Sequence, residues 1–153
     1  MKKSVNKILI ILFFICWLGG CGGKVDKPYE ISSNGHILSY KDSKIDNYFK
    51  KDGYEIIQND DNQIRCITIT DSDAVTIDGI SVGDNIEKLK NIRDLIPGDD
   101  PAFGFLFDDD KEVDRYKDAE NIQDSWIWLI YYTKDDIINK IQIGDIKYMR
   151  ELR

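Results

Sequence analysis

The sequence predicts an α+β domain in which an antiparallel sheet carries short helices packed on one side. Two observations support this class. Short runs rich in isoleucine, tyrosine and threonine recur along the chain, and clusters of aspartate, asparagine and glycine separate them, as expected for strands joined by turns. Two other segments place apolar residues at helical spacing behind a capping side chain, so short helices are expected between the strands.

Seven segments are predicted to be strands because β-branched and aromatic residues dominate them. In chain order they are residues 36–40, 54–58, 64–70, 74–80, 103–107, 125–133 and 137–143. The acidic turn at 60–62 joins the second strand to the third, and Asp135-Asp136 joins the last two. The run 125–133 is the strongest of these strands, since tryptophan, isoleucine and tyrosine fill it.

The first helix is predicted to begin after Ser43, whose hydroxyl can cap its backbone N–H groups. Ile45, Tyr48 and Phe49 would share the buried face of this helix. Gly53 is expected to end it, because glycine readily adopts the left-handed conformation that commonly follows a helix.

The second helix is predicted to begin after Asp84, and Glu87 three residues later completes a pattern like a capping box. Its buried stripe consists of Ile86, Leu89 and Ile96. Pro97, followed by glycine, ends it. The stretch 111–124 is almost entirely charged or polar and is predicted to be a long solvated loop.

The chain also contains an internal similarity. Residues 56–71 align with residues 130–145 without a gap, and both segments read as strand, acidic turn and strand. The identical pairs are Ile56 and Ile130, Asp61 and Asp135, Ile64 and Ile138, Ile67 and Ile141, Ile69 and Ile143, and Asp71 and Asp145. Because a short capped helix precedes each hairpin, the sequence predicts two related helix–hairpin units within residues 35–73 and 79–146.

The N-terminus has the layout of a secretory signal peptide over residues 1–20. Three lysines precede an unbroken apolar run over 8–18, which is shorter than the roughly 20 residues of a membrane-spanning helix. The run closes in Leu18-Gly19-Gly20-Cys21, which resembles the lipobox of bacterial lipoproteins. The resemblance implies cleavage before Cys21 and a thioether-linked diacylglycerol on its sulfur.

This interpretation sets the expected organisation and location of the protein. A lipidated tether would span residues 21–28, and a single folded domain would span 29–153. The membrane would hold the protein through the lipid on Cys21, at the extracytoplasmic face of a bacterial cell membrane.

Charge argues against a nucleic-acid partner. The chain carries 21 lysines and arginines and 28 aspartates and glutamates. Removal of residues 1–20 takes away three lysines and no acid, so the remaining chain has a net charge of −10 with its histidine neutral. Phosphates of a nucleic acid would repel such a domain.

A second resemblance lies in residues 78–89, which read Asp-Gly-Ile-Ser-Val-Gly-Asp-Asn-Ile-Glu-Lys-Leu. This segment resembles the signature of β-lactamase-inhibitor-like and BamE-like (SmpA/OmlA) proteins. The resemblance implies short helices before an antiparallel sheet, and it implies binding to other proteins, since members of those families bind proteins. Two features depart from the family pattern: no cysteine pair can form a disulfide, and the sequence after the helix is Leu95-Ile96-Pro97-Gly98.

Neither catalysis nor a cofactor is expected. His36 is the only histidine, and no nucleophile elbow or phosphate-binding glycine loop is visible. After processing, Cys66 is the only thiol besides Cys21, and its strand-like surroundings predict a core residue. The acidic run 108–114 lacks the glycine and glutamate that an EF-hand loop requires, so we expect solvated turns and no metal. A ligand-binding or hydrolytic lipoprotein with an acidic cleft is the alternative.

Aromatic strands are the best candidates for a partner surface. Trp126, Trp128 and Tyr132 fall on one face of their predicted strand, and Phe105 lies in another aromatic strand. Tryptophan and tyrosine commonly anchor protein interfaces, so these four residues are predicted to contact a protein partner. The alternative is that the rings belong to the core.

Overall fold

A computed structural model describes residues 24–95, 102–114 and 122–151 of the chain. The predicted signal peptide and Cys21 lie outside the described residues. So do Ile96, Pro97, Gly98 and the middle of the predicted loop, residues 115–121.

The described residues form nine strands in two antiparallel sheets. The strands are β1 (Glu30–Ser33), β2 (His36–Ser39), β3 (Tyr54–Gln58), β4 (Ile64–Ile69), β5 (Ala74–Val75), β6 (Ala102–Asp108), β7 (Lys111–Val113), β8 (Ile127–Lys134) and β9 (Ile137–Asp145). The large sheet has the strand order β3-β4-β9-β8-β6-β7, and the small sheet has the order β2-β1-β5. The prediction of an antiparallel, β-rich fold is confirmed, but the single predicted sheet is in fact two.

Two of the predicted strand boundaries need correction. The strand predicted over 74–80 is only the two residues of β5. After it the chain turns, because Gly79 adopts a φ of 70° and its N–H donates to the carbonyl of Thr76 at 2.9 Å. In addition, β7 occupies the start of the stretch that was predicted to be a loop.

The helices are shorter than predicted. Asn47–Phe49 is a single 3-10 turn, and its cap is Asp46 rather than Ser43, since the Asp46 carboxylate accepts from the Tyr48 N–H at 2.9 Å. The second helix, α1 (Ile86–Lys90), is capped by Asn85 rather than Asp84.

Asp84 forms hydrogen bonds outside α1. Its carboxylate accepts from the Ser81 N–H at 2.8 Å, and its carbonyl accepts from the Ile138 N–H at 2.9 Å. The Ile86 N–H in turn donates to the Asp136 carbonyl at 2.9 Å. The backbone before α1 is therefore hydrogen-bonded to the turn and start of β9, which moves the helix start by one residue.

The main core lies between the two sheets. On the large sheet, this core consists mainly of isoleucines of β4 and β9 and of Leu129 of β8. Ile31 and Leu38 of the small sheet cover them, together with Phe49 of the 3-10 turn and Leu89 of α1. Most of the buried apolar residues of the described chain therefore belong to this core.

A buried polar network closes the edge of this core. The Tyr131 hydroxyl donates to the Asp78 carboxylate and lies near the Thr76 hydroxyl, at 2.8 Å in both cases. Arg93, just after α1, pairs with Asp78 at 2.7 Å and also with Glu112 of β7. Burial raises the pKa of Tyr131, so its hydroxyl keeps the proton that it donates.

The opposite face of the large sheet carries a third helix, α2 (Ile146–Glu151). Ile146 and Met149 pack there, away from the main core. Gly144 leaves room for this packing, since a Cβ at that position would lie 3.3 Å from the Met149 side chain of α2 and 2.8 Å from the Arg65 carbonyl oxygen of β4. The expectation of short helices packed on one side therefore holds for the 3-10 turn and α1, which both pack on the main core, but not for α2.

The two similar hairpins meet in the middle of the large sheet. Strands β4 and β9 pair so that Thr68 faces Gln142, and these positions correspond in the alignment of 56–71 with 130–145. The second strands of the two hairpins, β4 and β9, agree in that their aligned isoleucines are all buried. The first strands do not: Ile56 packs on the main core, whereas Ile130 lies on the opposite face. The pairing of the two strands within a hairpin differs by one residue between the two hairpins. A shift of one residue moves each side chain of a strand to the other face of the sheet.

Candidate functional site: the outer face of the large sheet

We call the side of the large sheet that carries α2 the outer face. The strand registers place Ile57, Cys66, Thr68, Gly104, Trp128, Ile130, Tyr132, Lys140, Gln142 and Gly144 on it. The helix α2 covers the part of this face around Cys66 and Ile130 through Met149. The part toward Tyr132 and Lys140 is only half-buried, so it is accessible to a partner.

Polar side chains form a row across three strands of the outer face. The Tyr132 hydroxyl donates to Gln142 Oε1 at 2.7 Å, and Gln142 Nε2 donates to the Thr68 hydroxyl at 3.1 Å. The Lys140 ammonium lies 3.8 Å from the centre of the Tyr132 ring, within range of a cation–π interaction. This row holds the Tyr132 side chain in a fixed orientation.

Trp128 lies beside this row and is also half-buried. Its indole approaches Gly104 of the neighbouring strand so closely that a Cβ there would lie 2.4 Å from Trp128 Nε1. The glycine thus leaves the space that the ring occupies against the sheet. A large aromatic side chain with little rotational freedom suits an interface because little entropy is lost when a partner binds.

The four residues predicted to bind a partner do not form one group. Trp128 and Tyr132 share the outer face. Trp126 is 6% exposed and packs with Leu106 and Ile146. Phe105 is 8% exposed and lies on the main-core face, with its ring centre 6.1 Å from that of Tyr131. Of the four residues, only Trp128 and Tyr132 are therefore accessible enough to contact a partner in this conformation.

Cys66 lies in the buried part of the outer face, and its sulfur is 3.6 Å from that of Met149. Burial raises the pKa of the Cys66 thiol to about 11. The thiolate fraction at neutral pH is therefore far smaller than for an exposed cysteine, and α2 blocks access to the sulfur.

We expect the folded, processed protein to resist alkylation by iodoacetamide at pH 8, because only the thiolate reacts. Unfolding in urea should release the thiol and allow complete labelling, which mass spectrometry can follow. Rapid labelling of the folded protein at pH 8 would contradict this structure.

The raised pKa of Cys66 also makes the stability of the domain depend on pH. The stabilisation due to the neutral thiol is complete below the pKa of the unfolded chain, roughly 8.5, and is lost as pH rises toward about 11.

The single histidine belongs to a polar cluster at the surface. His36 stacks on Tyr48 with ring centres 4.3 Å apart, and its Nδ1 lies 3.0 Å from the Asp46 carboxylate. The Tyr48 hydroxyl lies 2.9 Å from the Ser33 hydroxyl and accepts from Asn34 at 2.8 Å. These hydrogen bonds lower the pKa of Tyr48. The cluster fixes the 3-10 turn on the small sheet, a role that sequence reasoning missed.

A shallow pocket of about 470 Å³ lies beside the end of β3 and the turn that follows it. The segment before β3 lines it with Ser43, Lys44, Ile45 and Lys50. Gln58 at the end of β3 and Asp61 and Asn62 of the β3–β4 turn complete the lining. Within the described ranges, no three or more His, Cys, Asp or Glu side chains are grouped so that they could hold a metal ion.

Comparisons of the chain with protein-family models, with curated proteins and with solved structures give no match. The similarity of residues 78–89 to β-lactamase-inhibitor-like and BamE-like proteins therefore stays a prediction. Among residues 24–95, 102–114 and 122–151, no helix has both the length and the apolar character needed to cross a membrane.

Proposed function

We propose that this chain is a lipoprotein, anchored through Cys21 at the extracytoplasmic face of a bacterial cell membrane. Its folded domain would act as a non-enzymatic protein-binding or inhibitor-like module. The segment Leu18-Gly19-Gly20-Cys21 carries the proposal of lipidation. The half-buried pair Trp128 and Tyr132 on the outer face carries the proposal of protein binding, because aromatic side chains held on a sheet are common interface anchors.

The composition of the outer face also supports a partner surface. Its accessible part combines the indole of Trp128 with the hydroxyl, amide and ammonium groups of Tyr132, Gln142 and Lys140. Interfaces of separately folded proteins have this mixture of aromatic and polar groups, with apolar area no greater than on the rest of the surface. The edge strand β3 extends the same sheet and enlarges the available surface.

The alternative of an acidic cleft receives less support. A hydrolytic or ligand-binding site of that kind would gather several carboxylates in a pocket. The pocket next to the β3–β4 turn instead contains two lysines and the single carboxylate of Asp61.

We also propose that the domain contains two related helix–hairpin units, with short helices derived from a common pattern. The correspondence of Thr68 and Gln142 at the junction of β4 and β9 supports this origin. The difference in register of the first strands would then be a later change. It accompanies loops of different length, since residues 59–63 connect β3 to β4 and only Asp135-Asp136 connects β8 to β9.

Capture of a partner from envelope extract tests the function. We expect the C-terminally tagged chain to retain a specific protein. Trp128→Ala should weaken that complex by about 2 kcal/mol, roughly thirtyfold in Kd, if the indole is an interface anchor. Titration of the captured partner by surface plasmon resonance gives the affinity.

Ile37→Ala is the matched control, because Ile37 is an exposed apolar residue on the small sheet. It should leave binding unchanged. Circular dichroism spectra of both variants must match that of the parent protein, since Trp128 also contacts apolar neighbours. Equal binding by the parent and by a folded Trp128→Ala variant would remove the outer face as the binding surface.

A further inference from the structure

The pocket beside the β3–β4 turn has a charge unlike that of the chain as a whole. The chain has an excess of acidic residues, yet Lys44 and Lys50 both line this pocket. We propose that the pocket binds the phosphate group of a small hydroxyl-bearing molecule, such as a phosphorylated polyol or sugar. The inference concerns a surface separate from the outer face and does not depend on the proposed function.

The state of the two lysines is the first argument. Half of the lysines among the described residues form ion pairs with carboxylates; for example, Lys51 lies 3.0 Å from Asp71, and Lys88 lies 2.8 Å from Asp84. Within the described part of the chain, neither Lys44 nor Lys50 has an acidic side chain at ion-pair distance, although Asp61 lines the same pocket. Their charges are therefore available to an anion from solution.

The wall of the pocket is fixed by hydrogen bonds. Gln58 Nε2 donates to the Asn62 carbonyl at 2.6 Å and lies 3.4 Å from the Ser43 carbonyl. The Asn59 side chain accepts from the Asp61 and Gln63 N–H groups at 3.1 and 2.8 Å, which holds the turn in shape. The segment that carries Lys44 is thus joined to the turn that forms the opposite wall.

The side chains present favour phosphate over carboxylate. Lysine acts as a compact point charge with three donors and is a common phosphate ligand. Planar carboxylates are bound best by the fork of an arginine, and both arginines whose side chains are described, Arg65 and Arg93, are paired with aspartates elsewhere. Among the lining residues, Ser43 also carries a hydroxyl.

Asp61 explains why the ligand should carry hydroxyl groups. A carboxylate in the wall repels an anion at close range but accepts hydrogen bonds from neutral hydroxyls. A molecule with phosphate at the lysine side and hydroxyls toward Asp61 satisfies both groups. Inorganic phosphate alone would meet the lysines without using the carboxylate, so it should bind more weakly.

Titration of the full chain in dodecyl maltoside micelles, followed by ¹H–¹⁵N NMR at constant ionic strength, tests this site. The probes are inorganic phosphate, glycerol 3-phosphate, glycerophosphoglycerol and acetate. We expect saturable shifts of the backbone amides around Ser43, Lys50 and Asn62 with glycerol 3-phosphate, with a Kd of about 1 mM. Binding of the monoester alone would indicate a free phosphorylated metabolite, and binding of the diester would indicate a lipid headgroup or a polymer. Either supports the phosphate site.

The double variant Lys44→Gln/Lys50→Gln should weaken glycerol 3-phosphate binding about tenfold or more, since it removes both cationic donors that line the pocket. Its control is Lys111→Gln/Lys134→Gln, which removes the same charge from residues that do not line the pocket. The control should bind within about twofold of the parent, because distant surface charges are screened. Absence of saturable shifts, equal effects of the two double variants, or equal binding of acetate would each overturn the proposal.

Discussion

Replacing Asp145 by alanine is expected to lower the free energy of unfolding by about 3–5 kcal/mol, because the Arg65 guanidinium, the Tyr40 hydroxyl and the Tyr148 N–H would all lose the acceptor that they share. The Asp145 side chain is 1% exposed and lies 2.7 Å from the guanidinium of Arg65. It also accepts from the Tyr40 hydroxyl at 2.7 Å and from the Tyr148 N–H at 2.8 Å. One carboxylate thus joins the end of β9 to β4, to the segment after β2 and to the first turn of α2.

Urea unfolding followed by circular dichroism measures this effect. Asp110→Ala serves as the control, since Asp110 forms an ion pair with Lys27 but is exposed. Surface pairs of that kind contribute about 0–1 kcal/mol. Asp145→Asn should lie between the two, because the amide oxygen can still accept from the Tyr148 N–H. Equal midpoints for Asp145→Ala and Asp110→Ala would contradict the hydrogen bonds described for Asp145.

Cys21→Ser is expected to abolish lipid attachment completely. The thioether to diacylglycerol requires the cysteine sulfur, and a serine hydroxyl cannot replace it in that bond. Growth of an expressing bacterium with radioactive palmitate should label the parent protein and leave the variant unlabelled. The variant should also leave the membrane fraction, because the acyl chains supply about 0.8 kcal/mol per buried methylene.

Cys66→Ser is the matched control for this experiment, since it removes the other cysteine of the processed chain. It should retain the palmitate label and the membrane location. Label on the Cys21→Ser protein, or loss of label from Cys66→Ser, would refute the assignment of the anchor to residue 21.

The sequence predicted β3, β4, β8 and β9 of the large sheet well because each contains at least two isoleucines. The predicted range 54–58 coincides with β3, and 137–143 forms most of β9. Strand β1 was missed, since Glu30-Ile31-Ser32-Ser33 contains a single large apolar residue. That residue, Ile31, is completely buried. A strand whose position depends on one core contact has little periodicity to detect.

The candidate site was predicted only in part. Alternation within β8 correctly separates Trp128 and Tyr132 from the core residue Leu129. Alternation alone cannot show which side chains of β6 lie on the same face as Trp128 and Tyr132, because their placement depends on the register between β6 and β8. In the observed register Phe105 lies opposite Leu129 and therefore on the core side. The pocket could not be predicted from spacing, since its lysines and Asp61 come from segments that only the folded hairpin brings together.

The buried network around Tyr131 has a consequence for how the domain opens. It connects β8, the turn after β5, the end of α1 and the edge strand β7 through consecutive hydrogen bonds and ion pairs. Separation of β8, of the turn after β5 or of the end of α1 would leave a buried member of this network without its partner, whereas β7 contributes only the half-exposed Glu112 carboxylate. The first three segments are therefore expected to open as one cooperative unit of local unfolding, and the Arg93–Glu112 ion pair joins the short edge strand β7 to that unit at the surface.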